Sequence, residues 1–462
     1  MDSLMEKLDW LNGYIWGAPM LILLMGTGLL LTFRLKLLQV TKLPRALALI
    51  FTAKNEGAGD VSSFKSLCTA LAATVGVGNI VGVATAIAAG GPGALFWMWM
   101  AAFLGIATKY AEGLLAIKYR TFDERGEALG GPMRYIEMGL GPNWKWLAVL
   151  FALFGSLAAF LGIGTSTQVN AIVTNCQSVF GVPVIVTGLI VTVLIALVVL
   201  GGLKSIATAS SAVVPFMCVV YFLFGLGILF MYSDQIPAAF ALVFRSAFTQ
   251  QAGFGGLMGA TFAMAIRSGV ARGIFSNEAG LGSAPIASAA AKTKWAAEQG
   301  LISMTGTFID TIIICSITGL SIILTGTWTT VVNQLDASGQ VVKGALSAGI
   351  ATQMAFETAY PGFGGYVEVV CLVLFAFTTI LGWAYYGERC CAYLFGVKGQ
   401  LPYRIIYIIS VGTAIFLPLD LVWTIADITN GLMAFPNLIA LVALSGVIVA
   451  ETKKYFDHLD GK

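Results

Sequence analysis

The chain has 462 residues, of which 58% are hydrophobic and 11% are charged, and its mean hydropathy is +0.87. Because a soluble domain carries about 25% charged residues, this composition excludes an ordinary soluble protein and indicates a chain that spans a membrane. Long apolar runs, such as residues 20–31 and 185–200, lack the alternation of apolar and polar residues that membrane β-barrel strands require. We therefore predict an all-α polytopic membrane protein.

Apolar stretches of about 20 residues predict about 11 transmembrane helices. We place them at residues 12–33, 62–90, 92–118, 145–172, 183–201, 205–232, 257–290, 300–325, 363–396, 401–418 and 435–452. Residues 421–433 form either a short interfacial helix or part of the last span. The helices at 62–90 and 257–290 are long because each is interrupted.

Lys and Arg are concentrated in alternate loops, above all at residues 34–65 and 109–145. Since they accumulate in cytoplasmic loops, we expect the N-terminus outside and the C-terminus in the cytoplasm. Asp2, Glu6 and Asp9 stand where a cleavable signal would be basic, so the first helix is expected to remain in the mature protein. The seven cysteines have no metal-ligand spacing, and the net charge of +3 lies in the loops without a nucleic-acid-binding patch.

The helix at residues 62–90 carries glycines at positions 76, 78 and 82 beside Asn79. Glycine weakens a helix, so we expect the helix to open here. Close packing of neighbouring helices is the competing explanation, because small residues also permit it.

A second segment, RSGVARGIFSNEAGLGSAP at residues 267–285, has glycines around Ser276, Asn277 and Glu278. It begins five spans after the first, so the two interrupted helices cross the membrane in opposite directions, as in an inverted repeat with a midplane site. Half-helix N-termini attract anions and free carbonyls attract cations. A zwitterion satisfies both, so we predict an amino acid as the solute and sodium as the accompanying ion.

The stretch GGPGALFWMWMAAFLG at residues 90–105, GVGN at 76–79 and SNEAGLGSAPIA at 276–287 together resemble the alanine or glycine:cation symporter family. The resemblance covers most of the chain and implies sodium-coupled uptake of alanine or glycine in a bacterial or archaeal plasma membrane. It also implies a LeuT-type 5+5 inverted repeat with one extra N-terminal helix. The extra helix and a basic cytoplasmic loop would occupy residues 1–61, the repeats 62–232 and 257–452, an extracellular linker 233–256 and a cytoplasmic tail 453–462.

The resemblance further implies which residues form the site. The substrate would bind at the first break, formed by Thr74, Gly76, Val77, Gly78 and Asn79, with the amides of Val77 and Gly78 holding its carboxylate. Sodium would be the only bound ion, with no other cofactor, and its oxygen ligands would come from Ala72, Val75, Thr378 and Thr379. The alternative for both threonines is a hydrogen bond back to their own helix.

Other polar and bulky residues complete the predicted site. Gln168 lies in an unusually polar stretch, residues 161–170, and either touches the substrate or joins helices. Ser276 and Asn277 are candidates for the ammonium side or for capping the second half-helix. Phe275 and Trp383 would form the wall that excludes larger side chains.

The intramembrane charges leave an alternative open. We expect Arg272 to pair with Glu278, either as a gate that opens and closes or, as we favour, as a fixed pair that holds the second break. Glu278 is also a candidate proton carrier, which would make the protein a proton-coupled carrier on the same fold. An enzyme is disfavoured because His458 is the sole histidine and no catalytic constellation appears, so no catalytic residue is assigned. A channel is also disfavoured, because it would need repeated filter segments or charged rings, and two inverted breaks fit these poorly. Alanine, glycine, D-alanine as a further substrate, sodium and membrane lipid are the expected partners.

Overall fold

The structure, a computed structural model, describes residues 2–248, 262–332 and 349–461. Within these ranges the chain is helical apart from one antiparallel hairpin of two short strands, β1 (Thr121–Phe122) and β2 (Ala128–Leu129). Seven of the described helices are long and apolar enough to cross a membrane, or eight when one bent pair counts as a single span. The prediction of an all-α polytopic membrane protein is confirmed.

The N-terminal part contains the first helices and the first interrupted one. They are α1 (Asp2–Ile15), α2 (Ala18–Arg34), α3 (Leu38–Thr41), α4 (Leu43–Thr52), α5 (Ser63–Thr74), a π-helical turn (Gly78–Gly82), α6 (Val83–Gly90) and α7 (Gly93–Lys118). Together α1 and α2 form one apolar segment of 32 residues, Ser3–Arg34, which starts earlier than the predicted span at 12–33.

After the hairpin, the chain continues through α8 (Pro132–Tyr135), a π-helical turn (Ile136–Leu140), α9 (Lys145–Leu161), α10 (Ser166–Phe180), α11 (Val184–Val199), α12 (Gly202–Met231) and α13 (Ile236–Phe248). The predicted span at 145–172 is therefore divided: α9 ends at Leu161 and α10 starts at Ser166. The predicted linker at 233–256 is helical from Ile236 to Phe248, and its remaining residues lie outside the described ones.

The remaining helices are α14 (Phe262–Asn277), α15 (Ala284–Ser288), α16 (Ala296–Thr307), a π-helical segment (Phe308–Cys315), α17 (Ser316–Leu324), α18 (Trp328–Val332), α19 (Ile350–Ala359), α20 (Gly364–Phe395), α21 (Gln400–Thr413), α22 (Leu419–Ala443) and α23 (Ser445–Leu459). The predicted last span at 435–452 is displaced, since α22 contains residues 421–433 and ends at Ala443. Short 3₁₀ turns occupy Pro142–Trp144, Ser233–Gln235, Val397–Gly399 and Ala414–Phe416.

Two groups of helices meet at the interrupted segments. On one side α7 packs against α14 and α16, and on the other α5 packs against α12 and α20. The contact between α5 and α20 is close, because a Cβ on Gly382 would lie 2.7 Å from the backbone nitrogen of Ala73. Both interrupted helices therefore lie in the buried centre of the molecule, with α1 packed outside them against α22.

Candidate functional site

The first break lies where sequence predicts it. α5 ends at Thr74, the chain is extended at Val75, and the helical direction changes by 52° before the π-helical turn continues into α6. The amide of Gly76 donates to Asn79 Oδ1 (2.8 Å), and the amide of Val77 donates to Gln168 Oε1 (3.2 Å). Two side-chain oxygens thus accept hydrogen bonds from the backbone amides that the break leaves without helical partners.

The two breaks touch each other at Gly78. A Cβ added there would lie 3.0 Å from Ser276 Cα and 3.3 Å from Phe275 Cδ1, which is tighter than most side-chain contacts, so glycine favours this close approach. The hydroxyl of Thr74 donates to its own helix, at the carbonyl oxygens of Ala70 (3.2 Å) and Leu71 (3.4 Å).

The second break is also present. α14 ends at Asn277, and the next residues adopt left-handed conformations, with φ of 57° at Glu278, 89° at Gly280 and 82° at Gly282. Asn277 stabilises the non-helical turn after α14, because its Oδ1 accepts the amide of Ala279 (2.9 Å) while its Nδ2 donates to Thr311 Oγ1 (3.0 Å). It does not cap the second half-helix, since α15 begins at Ala284 and its N-cap residue is Ser283.

Two buried charged residues of α7 hold the second break in shape. Glu112 Oε1 accepts the amides of Gly280 and Gly282, each at 3.1 Å, and also Nδ2 of Asn437 (2.7 Å). Lys109 Nζ donates to the carbonyl of Asn277 (2.8 Å). The anion expected at these backbone amides is therefore a carboxylate of the protein itself.

Asp310 connects the two breaks. Its Oδ1 accepts Asn79 Nδ2 (2.7 Å), and its Oδ2 accepts the hydroxyls of Ser276 (2.9 Å) and Thr311 (2.7 Å). Asn79 also bonds Gly76, so both ends of its amide are engaged within the protein. Asn79 consequently orients the first break and links it to the π-helical segment Phe308–Cys315.

The predicted sodium ligands are only partly brought together. Thr379 Oγ1 donates to Val75 O at 3.5 Å and to Phe375 O at 3.0 Å, within its own helix. Thr378 Oγ1 donates to Phe375 O (3.0 Å) and to the sulfur of Met217 on α12 (3.4 Å). Ala72 is buried one turn before Val75. Thr379 and Val75 thus adjoin at the first break, whereas Thr378 also contacts α12.

Gln168 marks a third interruption, between α9 and α10. Its Nε2 donates to the carbonyl of Ile163 (3.1 Å) in the non-helical turn that precedes α10. Tyr407 donates to the carbonyl of Gly164 (2.9 Å) in the same turn. This turn brings the side chain of Gln168 to the amide of Val77. The contacts of Gln168 explain part of the unusual polarity of residues 161–170.

The structure gives Trp383 a hydrogen-bond partner that sequence does not predict, and it corrects one expectation about a charged residue. Trp383 is fully buried and donates from Nε1 to Glu278 Oε1 (2.8 Å), so it supports the second break. The predicted pair between Arg272 and Glu278 is wrong: Arg272 forms two hydrogen bonds to the carboxylate of Asp427, at 2.9 and 2.7 Å. The carboxylate of Glu278 instead accepts hydrogen bonds from Trp383 and from the hydroxyl of Ser283, because its left-handed backbone turns the side chain away from α14.

Sequence reasoning missed Lys109, Glu112 and Asp427 as members of this region. It assigned Lys109 to a cytoplasmic loop, but Lys109 is 2% exposed in the middle of α7. The available signal was the spacing of Lys109 and Glu112, three residues apart and thus on one face of an otherwise apolar helix. Among the residues that the structure describes, no group of three or more His, Cys, Asp and Glu could hold a metal ion.

Helices that break at the centre of a polytopic bundle, with buried charges around them, define a membrane transporter. The model of the sodium:alanine symporter family matches residues 1–462, and the chain belongs to this family. It is therefore a transporter rather than an enzyme, and it resides in a membrane.

Two relatives in sequence agree with this assignment, and one solved structure shares the fold. The chain is 56% identical to a Haemophilus influenzae protein described as an uncharacterized transporter, over 99% of this chain and 97% of that protein. It is 50% identical to the sodium/alanine symporter AgcS of Methanococcus maripaludis, over 96% and 95% of the two chains. A crystal structure of the Eremococcus coleocola manganese transporter, in complex with an aromatic bis-isothiourea substituted compound, has a similar fold (TM-score 0.50, 14% identity, 86% and 82% covered).

Proposed function

We propose that the protein is a sodium-coupled symporter that imports a small neutral amino acid, alanine or glycine, by alternating access. The observation that carries the proposal is the contact between the two breaks at Gly78 and Ser276. This contact supports the proposal because the amides, carbonyls and half-helix ends of two adjoining breaks would offer opposite partners to a zwitterion and a cation. The names of the family and of the archaeal relative support alanine and sodium.

In this proposal the substrate replaces Gln168 at the first break. The amide of Val77, now bonded to Gln168 Oε1, receives the substrate carboxylate together with the amide of Gly78. Ser276 donates to Asp310 and keeps its oxygen lone pairs for the ammonium group. Phe275 and Trp383 restrict the space for the side chain, and this kind of recognition leaves room for D-alanine as well.

Sodium binds beside the substrate, at Val75 O and Thr379 Oγ1, with Ala72 and Thr378 as the further oxygen donors. Sodium prefers hard oxygen ligands, and Thr379 already lies against Val75. Because the ion and the substrate share the segment 75–77, each stabilises the conformation that the other needs, so binding of one favours the other.

The wider architecture belongs to the same proposal. The two breaks are the midplane of a LeuT-type 5+5 inverted repeat, residues 62–232 and 257–452, with the first helix as an addition and about 11 spans in all. The excess of Lys and Arg in alternate loops supports an outside N-terminus and a cytoplasmic C-terminus.

The test is uptake of labelled alanine and glycine into proteoliposomes that contain the purified protein. We expect an inward sodium gradient to drive concentrative uptake, and a proton gradient alone to drive none. Concentrative uptake with protons and without sodium would instead favour the alternative, a proton-coupled carrier in which Glu278 bears the proton.

Removing the threonine hydroxyls tests the ion site within the same assay. Thr379→Val keeps the shape of the side chain and removes its oxygen, so the sodium concentration for half-maximal uptake should rise about tenfold. Thr378→Val should have a smaller effect, because its hydroxyl also faces Met217. Unchanged sodium dependence in both variants would move the ion site away from α20.

A further inference from the structure

A pocket of about 410 Å³ lies at the end of the bundle that is cytoplasmic in the proposed orientation. Three helices form it: α7 ends there at Lys118, α16 begins there at Ala296, and α23 packs against both. At this point α7 and α16 each complete an apolar segment that is long enough to cross a membrane. The pocket therefore lies at the level where the hydrocarbon region meets water.

The lining of the pocket combines lysines with apolar side chains. Its members are Ile117, Lys118, Lys294, Trp295, Ala296, Glu451 and Lys454. The ring of Trp295 is half-buried, because it packs against Tyr455 (5.8 Å between centroids) and stacks on His458 (4.6 Å). An indole held at this level is typical of the interface between membrane and water.

One ammonium group of the lining has no counter-charge. Lys118 Nζ pairs with Glu451 (2.7 Å), and Lys294 Nζ pairs with Glu56 (2.8 Å). Lys454 is exposed and forms no ion pair with any residue in the described ranges. Three ammonium groups thus face two carboxylates, and the excess of one positive charge favours a ligand with one negative charge.

The apolar part of the lining favours a lipid headgroup over a free anion. Ile117 belongs to the membrane-spanning segment of α7, and together with Trp295 it gives the pocket an apolar wall. The glycerol and the first acyl carbons of a lipid would contact this wall while the phosphate lies among the lysines. Basic pockets between transmembrane helices on the cytoplasmic side bind anionic headgroups in this way.

We propose that this pocket binds the headgroup of an anionic phospholipid with a single phosphodiester charge, such as phosphatidylglycerol. The unpaired Nζ of Lys454 receives the phosphate. Lys118 and Lys294 donate to it as well without leaving their carboxylates, because each ammonium has three N–H donors. A bound headgroup therefore joins α23 to the ends of α7 and α16, and this site is independent of the transported solute.

A series of charge changes tests the site in the full-length protein. The measured quantity is the Kd for the first bound phosphatidylglycerol, obtained by native mass spectrometry. Lys454→Gln should raise this Kd about fivefold, the usual contribution of one lysine to the binding of anionic lipid at a membrane surface. Glu451→Gln should lower the Kd, because it removes a negative charge from the lining.

Lys453→Gln is the matched control. Lys453 is the exposed neighbour of Lys454 on α23 and lies outside the lining, so this change should leave the Kd as in the native protein. All variants are compared at the elution volume of the native protein, which shows that they are folded. An equal rise of the Kd in Lys453→Gln and Lys454→Gln would reduce the effect to general charge attraction and overturn the pocket.

Competition distinguishes a lipid from a soluble phosphate. Phosphatidylcholine has the same phosphate but no net charge, so the native protein should bind it several-fold more weakly than phosphatidylglycerol, and Lys454→Gln should bind both lipids alike. Millimolar glycerol phosphate should not displace phosphatidylglycerol. Displacement by glycerol phosphate or by inorganic phosphate would assign the pocket to a soluble anion and overturn the lipid site. None of these readouts depends on uptake, so failure of the transport proposal would leave them intact.

Discussion

Gly76 shows at the scale of one residue why the first break needs glycine. Its backbone is not left-handed, so conformational freedom is not the reason. Space is the reason: a Cβ there would contact the hydroxyl of Thr379 and lie 3.3 Å from Gln168 Oε1. The glycine therefore keeps α20 and α10 close to the amides of the break.

Gly76→Ala should consequently abolish sodium-driven alanine uptake, with a loss of at least about tenfold, because the methyl separates Thr379 from Val75. Gly82→Ala is the matched control: a Cβ at Gly82 meets no atom within 4 Å, and uptake should stay near the native level. Equal uptake in both variants, measured at equal amounts of folded protein, would contradict this explanation.

Single residues also show what sequence could and could not predict about the site. Gly76, Gly78, Asn79, Ser276 and Gln168 were all predicted and all lie together, because breaks in apolar helices are visible in composition. Their partners were not predicted, since a buried carboxylate such as Asp310 has no sequence neighbour that reveals which distant amide or hydroxyl it will bond.

At the scale of helices, the structure contains both predicted interruptions. It also contains a third one, between α9 and α10, that sequence did not predict. The first two carry several glycines, and three left-handed residues follow Asn277. The third is stabilised by tertiary contacts, including the bond from Tyr407 to Gly164 O, which local sequence does not contain. Tertiary packing also places the end of α22 at Ala443, inside a run that hydropathy alone extends to residue 452.

The second break depends on α7 for its shape, which gives a prediction for Glu112. Glu112→Ala would leave the amides of Gly280 and Gly282 and Nδ2 of Asn437 without their acceptor in a buried place. Unsatisfied buried donors cost about 1–3 kcal/mol each, so the variant should lose about 3 kcal/mol or more of stability.

Glu112→Gln is the matched control, because its amide oxygen still accepts hydrogen bonds from the same donors. Thermal unfolding of detergent-solubilised protein should therefore show a clearly lower Tm for the alanine variant than for the glutamine variant. Similar Tm values for both variants would assign the stabilisation to the charge of Glu112 rather than to its hydrogen bonds.

At the scale of the molecule, the proposed coupling supplies enough energy for uptake. Moving one charge through 100 mV yields about 2.3 kcal/mol, and a tenfold sodium gradient adds about 1.4 kcal/mol. With one sodium per substrate, these terms sustain an accumulation on the order of several hundredfold. A leak of sodium without substrate would waste this energy, so coupled binding at residues 75–77 is essential to the proposal.

The loops at one end of the bundle connect the two interrupted helices at the ends that lie farthest from the breaks, before α5 and after α15. Val61, before α5, pairs with Ala291, after α15. Arg120 donates to the carbonyls of Ala289 (3.1 Å), Ala291 (2.6 Å) and Thr293 (3.1 Å). Asp60 accepts the amide of Ala128 in β2 (2.9 Å). Opening the site towards this end therefore requires these contacts to separate, in the proposed orientation on the cytoplasmic side.

Two carboxyls in these loops should influence stability with opposite dependence on pH. Burial raises the pKa of Asp60 above its ordinary value of 3.8, and the amide of Ala128 only partly offsets it. The folded state then holds more protons than the unfolded state, so stability falls as pH rises from 3.8 to the raised value. Lys294 lowers the pKa of Glu56 below 4.5 through a hydrogen bond of 2.8 Å, so that contribution is present above pH 4.5 and is lost as pH falls.

Substitution separates the two contributions. Asp60→Asn keeps an oxygen for the amide of Ala128 and removes the buried charge, so Tm should fall less with rising pH above 3.8 than in the native protein. Glu56→Gln should reduce the loss of Tm as pH falls below 4.5, because the attraction to Lys294 disappears. The measurement is Tm by intrinsic fluorescence in detergent across acidic pH. A native slope above pH 3.8 in Asp60→Asn would show that the contact between this loop and the hairpin does not depend on the protonation of Asp60.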